Sequence, residues 1–195
     1  MAKANRADGS RGFPKEIKLP NGAAITLRLM EHSDKEKILA FARSLPQDDL
    51  LFLRTDITEP ASIEEWIRNV EQGDTATVVA EADGQIVGYA SVHSDQARWT
   101  RRVGEIRVQV GAKYRGVGLG RHLASEIFHI GQLRGLKKMA AMMTPDQAGA
   151  RAAFEKLGFQ VEALLQDWVV DRDGRSRDLL IMSHDLEGLS DQVSA

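Results

Sequence analysis

Gly116, Gly118 and Gly120 stand at alternate positions between Arg115 and Arg121, directly after a stretch in which Ile106, Val108 and Val110 alternate with polar residues. The order predicts a strand, a short glycine loop and the start of a helix. Glycine has no Cβ, so the main-chain N–H groups at Gly116, Gly118 and Gly120 can come close to a bulky anion. A helix N-terminus adds orphan donors and the positive end of its dipole. Arg115 and Arg121 can add cationic contacts. The chemistry this pattern suits is phosphate or pyrophosphate binding. The nucleotide-binding pattern Gly-x-x-x-x-Gly-Lys-Ser/Thr is missing its lysine. The dinucleotide pattern Gly-x-Gly-x-x-Gly, started at Gly116, fails by one residue, because its last glycine would fall on Arg121.

Other reactive side chains give less. The absence of Cys removes disulfides, thiolate metal sites and a cysteine nucleophile. His32, His93, His122, His129 and His184 are scattered and form no His-x-x-x-His pair, so no metal is expected. His93 and Asp95 read as a solvated strand end, with an acceptor pocket as the alternative. Ser44, Ser91 and Ser125 lack a nucleophile-elbow context. Met139, Met142 and Met143 read as core filling, and Trp66, Trp99 and Trp168 as packing, with Trp99 in a loop able to close over substrate. Charged residues make up 28% of the chain with a formal net charge of -2, which gives no footprint for nucleic acid. No apolar run reaches the roughly 20 residues a membrane helix needs, and no secretory h-region follows the N-terminal charges, so a cytoplasmic protein with no membrane partner is the expectation.

The elements that position the loop follow from periodicity. Residues 16–19 and 23–29 predict a hairpin through Pro20-Asn21-Gly22. Ser33 with Glu36 predicts a capped helix that stops at Leu45-Pro46, and Ser62 with Glu65 a second over 62–71 whose apolar face is Ile63, Trp66, Ile67 and Val70. Strands are predicted over 75–82 and 85–94 around Asp83-Gly84, then over 102–110. After the glycine loop comes a helix with Leu119, Leu123, Ile127 and Ile130 in one stripe. A strand over 138–143, a helix over 146–157 and two strands over 159–170 and 177–185 complete the chain. So many hairpins argue for an α+β, or mixed α/β, fold with a mainly antiparallel sheet. The domain is expected over 26–186, with a hairpin strand at 13–25 leading in and polar tails at 1–12 and 187–195.

Arg115-Gly116-Val117-Gly118-Leu119-Gly120 matches Arg/Gln-x-x-Gly-x-Gly/Ala, and Gln147-x-x-Ala150-x-x-x-Phe154-x-x-x-Gly158-Phe159 is similar to Asn-x-x-Ala-x-x-x-Tyr-x-x-x-Gly-Phe. Both are motifs of the GNAT superfamily of acetyl-CoA-dependent N-acetyltransferases, which the chain resembles over most of its length, most nearly the bacterial protein-lysine acetyltransferase domains. The resemblance implies a twisted sheet whose fourth and fifth strands splay, with Val108 and Val110 on the fourth beside the pantetheine arm of acetyl-CoA. It implies pyrophosphate on residues 115–121, Gln147 and Phe154 near the cofactor, and an amine acceptor, either a small molecule or a protein lysine. A homodimer is compatible with it. Forming an amide needs a neutral amine, whose reference pKa is about 10.4 when lysine-like. Glu105, on the strand beside the thioester, is the candidate base; the plainer alternative is that it only pairs with Arg107 or Arg102. The N–H of Val108, freed by a bulge, is the implied donor to the thioester oxygen. Phe154 stands where a tyrosine often protonates the leaving sulfur and has no proton to give. A CoA-binding sensor without turnover is therefore the rival reading. Small residues at Ala140 and Ala141 leave room for a longer acyl chain.

Overall fold

The computed structural model describes residues 12–50, 55–95, 99–171 and 173–186. The two polar tails lie outside them, Gly12 apart. Eight strands form one sheet in the order β1-β2-β3-β4-β5-β6-β8-β7. They are β1 (Lys15–Lys18), β2 (Ala24–Leu29), β3 (Thr75–Ala82), β4 (Gln85–His93), β5 (Val103–Val110), β6 (Lys138–Met143), β7 (Gln160–Val170) and β8 (Ser176–Asp185). Every pairing is antiparallel except β5 with β6. The mixed, mainly antiparallel architecture is the one the hairpin count predicts.

Helices cover the two faces of the sheet separately. On one face α4 (Leu119–Leu133) buries Leu119, Leu123, Ile127 and Ile130 against Val92, Ile106, Met139 and Met182. On the other, α1 (Lys35–Ser44) and α3 (Pro60–Gln72) bury Ile38, Phe41, Ile63 and Trp66 around Val79 and Tyr89. Tyr89 receives Trp66 and Phe41 edge-on, with ring centroids 4.7 and 6.1 Å away. Such pairs add about 0.5–1.5 kcal/mol each beyond area burial. The indole N–H of Trp66 donates to Thr77 Oγ1 at 3.0 Å, so the buried ring leaves no orphan donor. Two smaller helices, α2 (Gln47–Leu50) and α5 (Ala148–Lys156), complete the set.

The helix starts differ from the sequence expectation. The predicted Ser33–Glu36 box is replaced by one between Glu31 and Asp34 on a 3-10 turn, His32–Asp34, after which α1 begins at Lys35. Asp34 wins because Arg28 of β2 reaches it: the guanidinium donates to both carboxylate oxygens at 2.7 Å and to Glu81 Oε2 at 2.6 Å. Pro60 at the first helical position, rather than Ser62, sets the start of α3, since its fixed φ suits N1 and its missing N–H costs nothing there. Gln47–Leu50 forms a turn of helix that the Leu45-Pro46 stop does not predict. Met142 and Trp168 are 46% and 64% exposed, so the core role expected of them fails, and Trp99 is 94% exposed in its turn. Met142 points to the face of β6 that α4 and α5 leave bare.

Candidate functional site

The β4–β5 ladder runs without a register shift from Gly88↔Val110 to His93↔Glu105. No bulge frees the N–H of Val108, and that expectation is corrected. The alternation of an antiparallel ladder supplies another route. Gly111 N–H donates to Val87 O at 2.9 Å, which makes residues 105, 107 and 109 the ones hydrogen-bonded to β4. The N–H and C=O groups of Ile106, Val108 and Val110 therefore point the other way, toward β6. Strand β6 pairs with β5 only at Val103, Gly104 and Glu105. Beyond Glu105 the two diverge, and Val108 and Val110 present their backbone to the gap. This is the splay that the resemblance implies; the added strand β1 makes it lie between the fifth and sixth strands of this chain.

Gly104 holds the apex of the gap shut. A Cβ built there would lie 2.5 Å from Val92 Cγ2 and 2.7 Å from Leu136 Cδ1, closer than packed carbons tolerate. The sequence pattern contains this glycine without showing what it does.

The glycine loop sits on the α4 face. Gly116 and Gly118 have φ of +74° and +93°, and a Cβ on either would meet no atom within 4 Å. Open space lies before both. Gly118 is the N-cap of the 15-residue α4 and makes no side-chain cap bond. The helix geometry leaves the N–H groups of Leu119 and Gly120 without intrahelical acceptors. An open, donor-lined cradle at a helix start fits a pyrophosphate. Gly120 differs: a Cβ there would make ordinary contacts with Val110 Cγ2 at 3.6 Å and Val108 Cγ1 at 3.8 Å. Glycine or alanine therefore serves at 120. Of the two expected cations, Arg121 is exposed, whereas Arg115 is engaged, with Nε donating to Val110 O at 2.9 Å and Nη2 to Asp49.

These differences give the first expected result. Gly118→Asp places a side chain in left-handed backbone, at a cost of roughly 1–2 kcal/mol, and points a carboxylate into the cradle. Calorimetry should show acetyl-CoA affinity lowered about tenfold or more, or 1.4 kcal/mol, while Gly120→Ala binds as the native protein does.

On the opposite face, side chains of β4 and β5 meet α3. A narrow pocket of about 60 Å³ is walled in part by Glu65, Trp66, Tyr89, Ser91, His93 and Arg107. It has room for an ammonium head and a little water. Tyr89 forms the buried floor, and burial pushes its phenol well above the usual value, so it stays protonated. Glu105 lies at the apex of the splay, and its Oε1 accepts from Arg107 at 2.8 and 3.2 Å, with both side chains 17% exposed. The expected alternative of an Arg107 pair is thus present. It lies, however, against a pocket and a backbone gap rather than on an open strand face.

His93 corrects the expectation of a solvated strand end. One ring nitrogen lies 2.9 Å from Thr75 Oγ1 and the other 3.0 Å from Ser91 Oγ. Ser91 and Thr75 are buried. The signal in the sequence was the pair Ser91 and His93 at strand spacing, which puts both on one face.

Gln147 is the N-cap of α5, and its side-chain oxygen accepts from Thr144 N–H at 3.1 Å, closing the turn after β6. Phe154, on α5, is partly exposed and packs edge-on against Phe159 at 4.9 Å. Both residues are brought to the β6 side of the splay, away from Glu105. Ala140 and Ala141 are buried within β6. Among the described residues no group of three or more His, Asp or Glu could hold a metal, and no helix is long and apolar enough to cross a membrane.

Comparison with known proteins gives the same reading. The chain resembles a phosphinothricin acetyltransferase from Sinorhizobium meliloti, solved in complex with acetyl-CoA, with 23% identity, a TM-score of 0.72, and 86% of this chain and 92% of that one covered. It resembles the ribosomal-protein-alanine N-acetyltransferase from Brucella melitensis at 25% identity and a TM-score of 0.71, covering 82% and 98%. YwnH of Bacillus subtilis (strain 168), a protein whose name assigns it provisionally to the phosphinothricin acetyltransferases, is 24% identical over 83% of this chain and 99% of its own. Residues 39–159, which run from α1 through the splay and glycine loop to the end of α5, match the family model described as "Acetyltransferase (GNAT) family", and the chain belongs to that family.

Proposed function

We propose that the protein transfers the acetyl group of acetyl-CoA to a primary amine by direct attack in a ternary complex. The observation that carries this reading is a pair of unlike surfaces on the two faces of the sheet, both reaching β5. A glycine cradle suited to phosphate at Gly116–Gly120 lies on the α4 face, a polar pocket lies on the α3 face, and the edge of β5 that β6 leaves beyond Glu105 lies at the splay. In this reading the N–H groups of Leu119 and Gly120 hold the pyrophosphate. The backbone of Val108 and Val110 aligns the donor arm, and the N–H of Val108 donates to the thioester oxygen as charge develops on it. Glu105 draws the proton from the acceptor amine, directly or through an intervening group. No covalent intermediate on the protein is required, because the amine attacks the thioester directly.

The acceptor is a primary amine presented by a slender arm, since the pocket admits little more than the amine itself. The relatives' names divide between phosphinothricin and the alanine of a ribosomal protein. A protein lysine also presents a primary amine on a slender arm. Phe154 neither donates nor accepts a proton, so the thiolate of CoA leaves with its proton supplied by solvent or by the attacking nitrogen.

A panel of amino acids, polyamines and lysine- or alanine-terminated peptides, read by CoA release, tests the proposal. Turnover with at least one amine is expected. Tight acetyl-CoA binding with no turnover on the whole panel would favour a sensor.

A further inference from the structure

We propose that His93 takes the first proton from the acceptor amine, with Ser91 as its contact to the incoming amine and the facing Glu105 carboxylate offsetting the new charge; this rests on the acetyl-transfer reading above. The geometry on the α3 face supports it. Ser91, His93 and Arg107 wall the pocket, whereas the Glu105 carboxylate is held by Arg107. A carboxylate already shared with a guanidinium is a poor first acceptor for a proton. His93 is itself part of the pocket wall. Its ring nitrogens are bracketed by Ser91 Oγ and Thr75 Oγ1 at 3.0 and 2.9 Å, and it stands directly across the ladder from Glu105. Cross-strand partners have Cβ atoms roughly 4.5–5.5 Å apart.

The step balances as follows. The ammonium of the acceptor gives one proton to Ser91 Oγ as the Ser91 hydroxyl proton passes to one ring nitrogen of His93. The amine becomes neutral and nucleophilic, and His93 becomes an imidazolium. Its other N–H donates to Thr75 Oγ1, and the facing Glu105 carboxylate offsets the new charge. A second proton leaves the nitrogen when the tetrahedral adduct collapses and goes to the departing sulfur. The imidazolium returns its proton to water once the amide product leaves.

Charged groups on the neighbouring elements bear on His93. From β5 come Glu105 and Arg107, of opposite sign. From α3 comes Glu65 at the pocket mouth. Asp74 and Asp95 stand at the strand ends beside it, and Thr75 on β3 is neutral. An imidazole that already carries a proton from solvent cannot take one from the amine. An acid limb of kcat/KM should therefore appear as His93 takes up its proton from solvent.

The test compares pH profiles of the native protein, His93→Gln and Ser91→Ala with a reactive amine from the panel, with melting and acetyl-CoA calorimetry on the same samples. Glutamine keeps polar contacts to both hydroxyls and cannot carry the charge. His93→Gln should lower kcat/KM by about 10²-fold, remove the acid limb and leave acetyl-CoA affinity unchanged. Ser91→Ala should keep the limb and lower kcat/KM by about tenfold; it carries the test if His93→Gln does not fold. A folded His93→Gln protein with the native limb, or Ser91→Ala at the native rate, overturns the relay while native turnover leaves the transfer reading standing. A native protein that binds acetyl-CoA and acetylates nothing overturns both.

Discussion

Glu105→Gln is expected to lower kcat/KM by about 10²-fold, near 2.7 kcal/mol of barrier, with acetyl-CoA affinity nearly intact. The substitution keeps the shape and an acceptor oxygen for Arg107 while removing the negative charge. The cradle lies on the opposite face of the sheet, across the gap, so binding of the donor should not register the change. If Glu105 served only to hold Arg107, glutamine would still accept one hydrogen bond from it, and the rate would fall by no more than a few-fold. Steady-state kinetics across the pH profile separate the two. A Glu105→Gln protein with native kcat/KM at every pH would remove Glu105 from the chemistry.

The second large effect concerns stability. Asp34→Ala should cost about 3 kcal/mol, the lower end of the range for breaking a buried ion pair, because Glu81 remains to pair with Arg28. For a chain of this size that is a fall of roughly 6–12 °C in melting temperature. Asp34 is 2% exposed. Burial pushes its carboxyl up, but hydrogen bonds from Arg28 and from Glu31 N–H, with the charges of Arg28 and Lys37, outweigh burial and hold it below the usual value. The folded pKa is depressed, so the stabilisation is complete above the ordinary aspartate range and is lost as pH falls through the folded value. The gap in stability between native and variant protein should thus be widest near neutrality and close in acid. Thermal melts of both proteins over a pH series measure it.

Much of this molecule can be read from residue order because the responsible interactions are local. Asp83-Gly84 turns one hairpin, Leu119, Leu123, Ile127 and Ile130 form one stripe, and Gly116 and Gly118 need the left-handed backbone they adopt. What escaped the sequence depends on partners distant in the chain. Asp34 closes the 3-10 turn before α1, where it also meets Arg28 arriving from β2. Arg115 is drawn away from the cradle by Asp49. His93 reads as a strand end until β3 and β5 bring Thr75, Glu105 and Arg107 around it. The freedom of the Val108 N–H needed no bulge, because the phase of the ladder decides it, and that phase is set by the pairing of Gly111 with Val87. Gly104 could be seen in the pattern, but its crowding against Val92 and Leu136 could not.

The divergence of β5 from β6 has a consequence for how the sheet protects its own amides. Exchange with deuterated water is ordinarily slowest in the middle of a sheet and fastest at its margins. Here the fifth of eight strands carries a margin of its own. The amides of Val108 and Val110 belong with the labile class despite their central position, while those of Arg107 and Gln109, in the same strand, belong with the slow class. An exposed margin of this kind ordinarily invites another chain to add a strand. This one is recessed between two neighbours of its own sheet, so a folded partner's strand cannot reach it, whereas a single thin, extended molecule can.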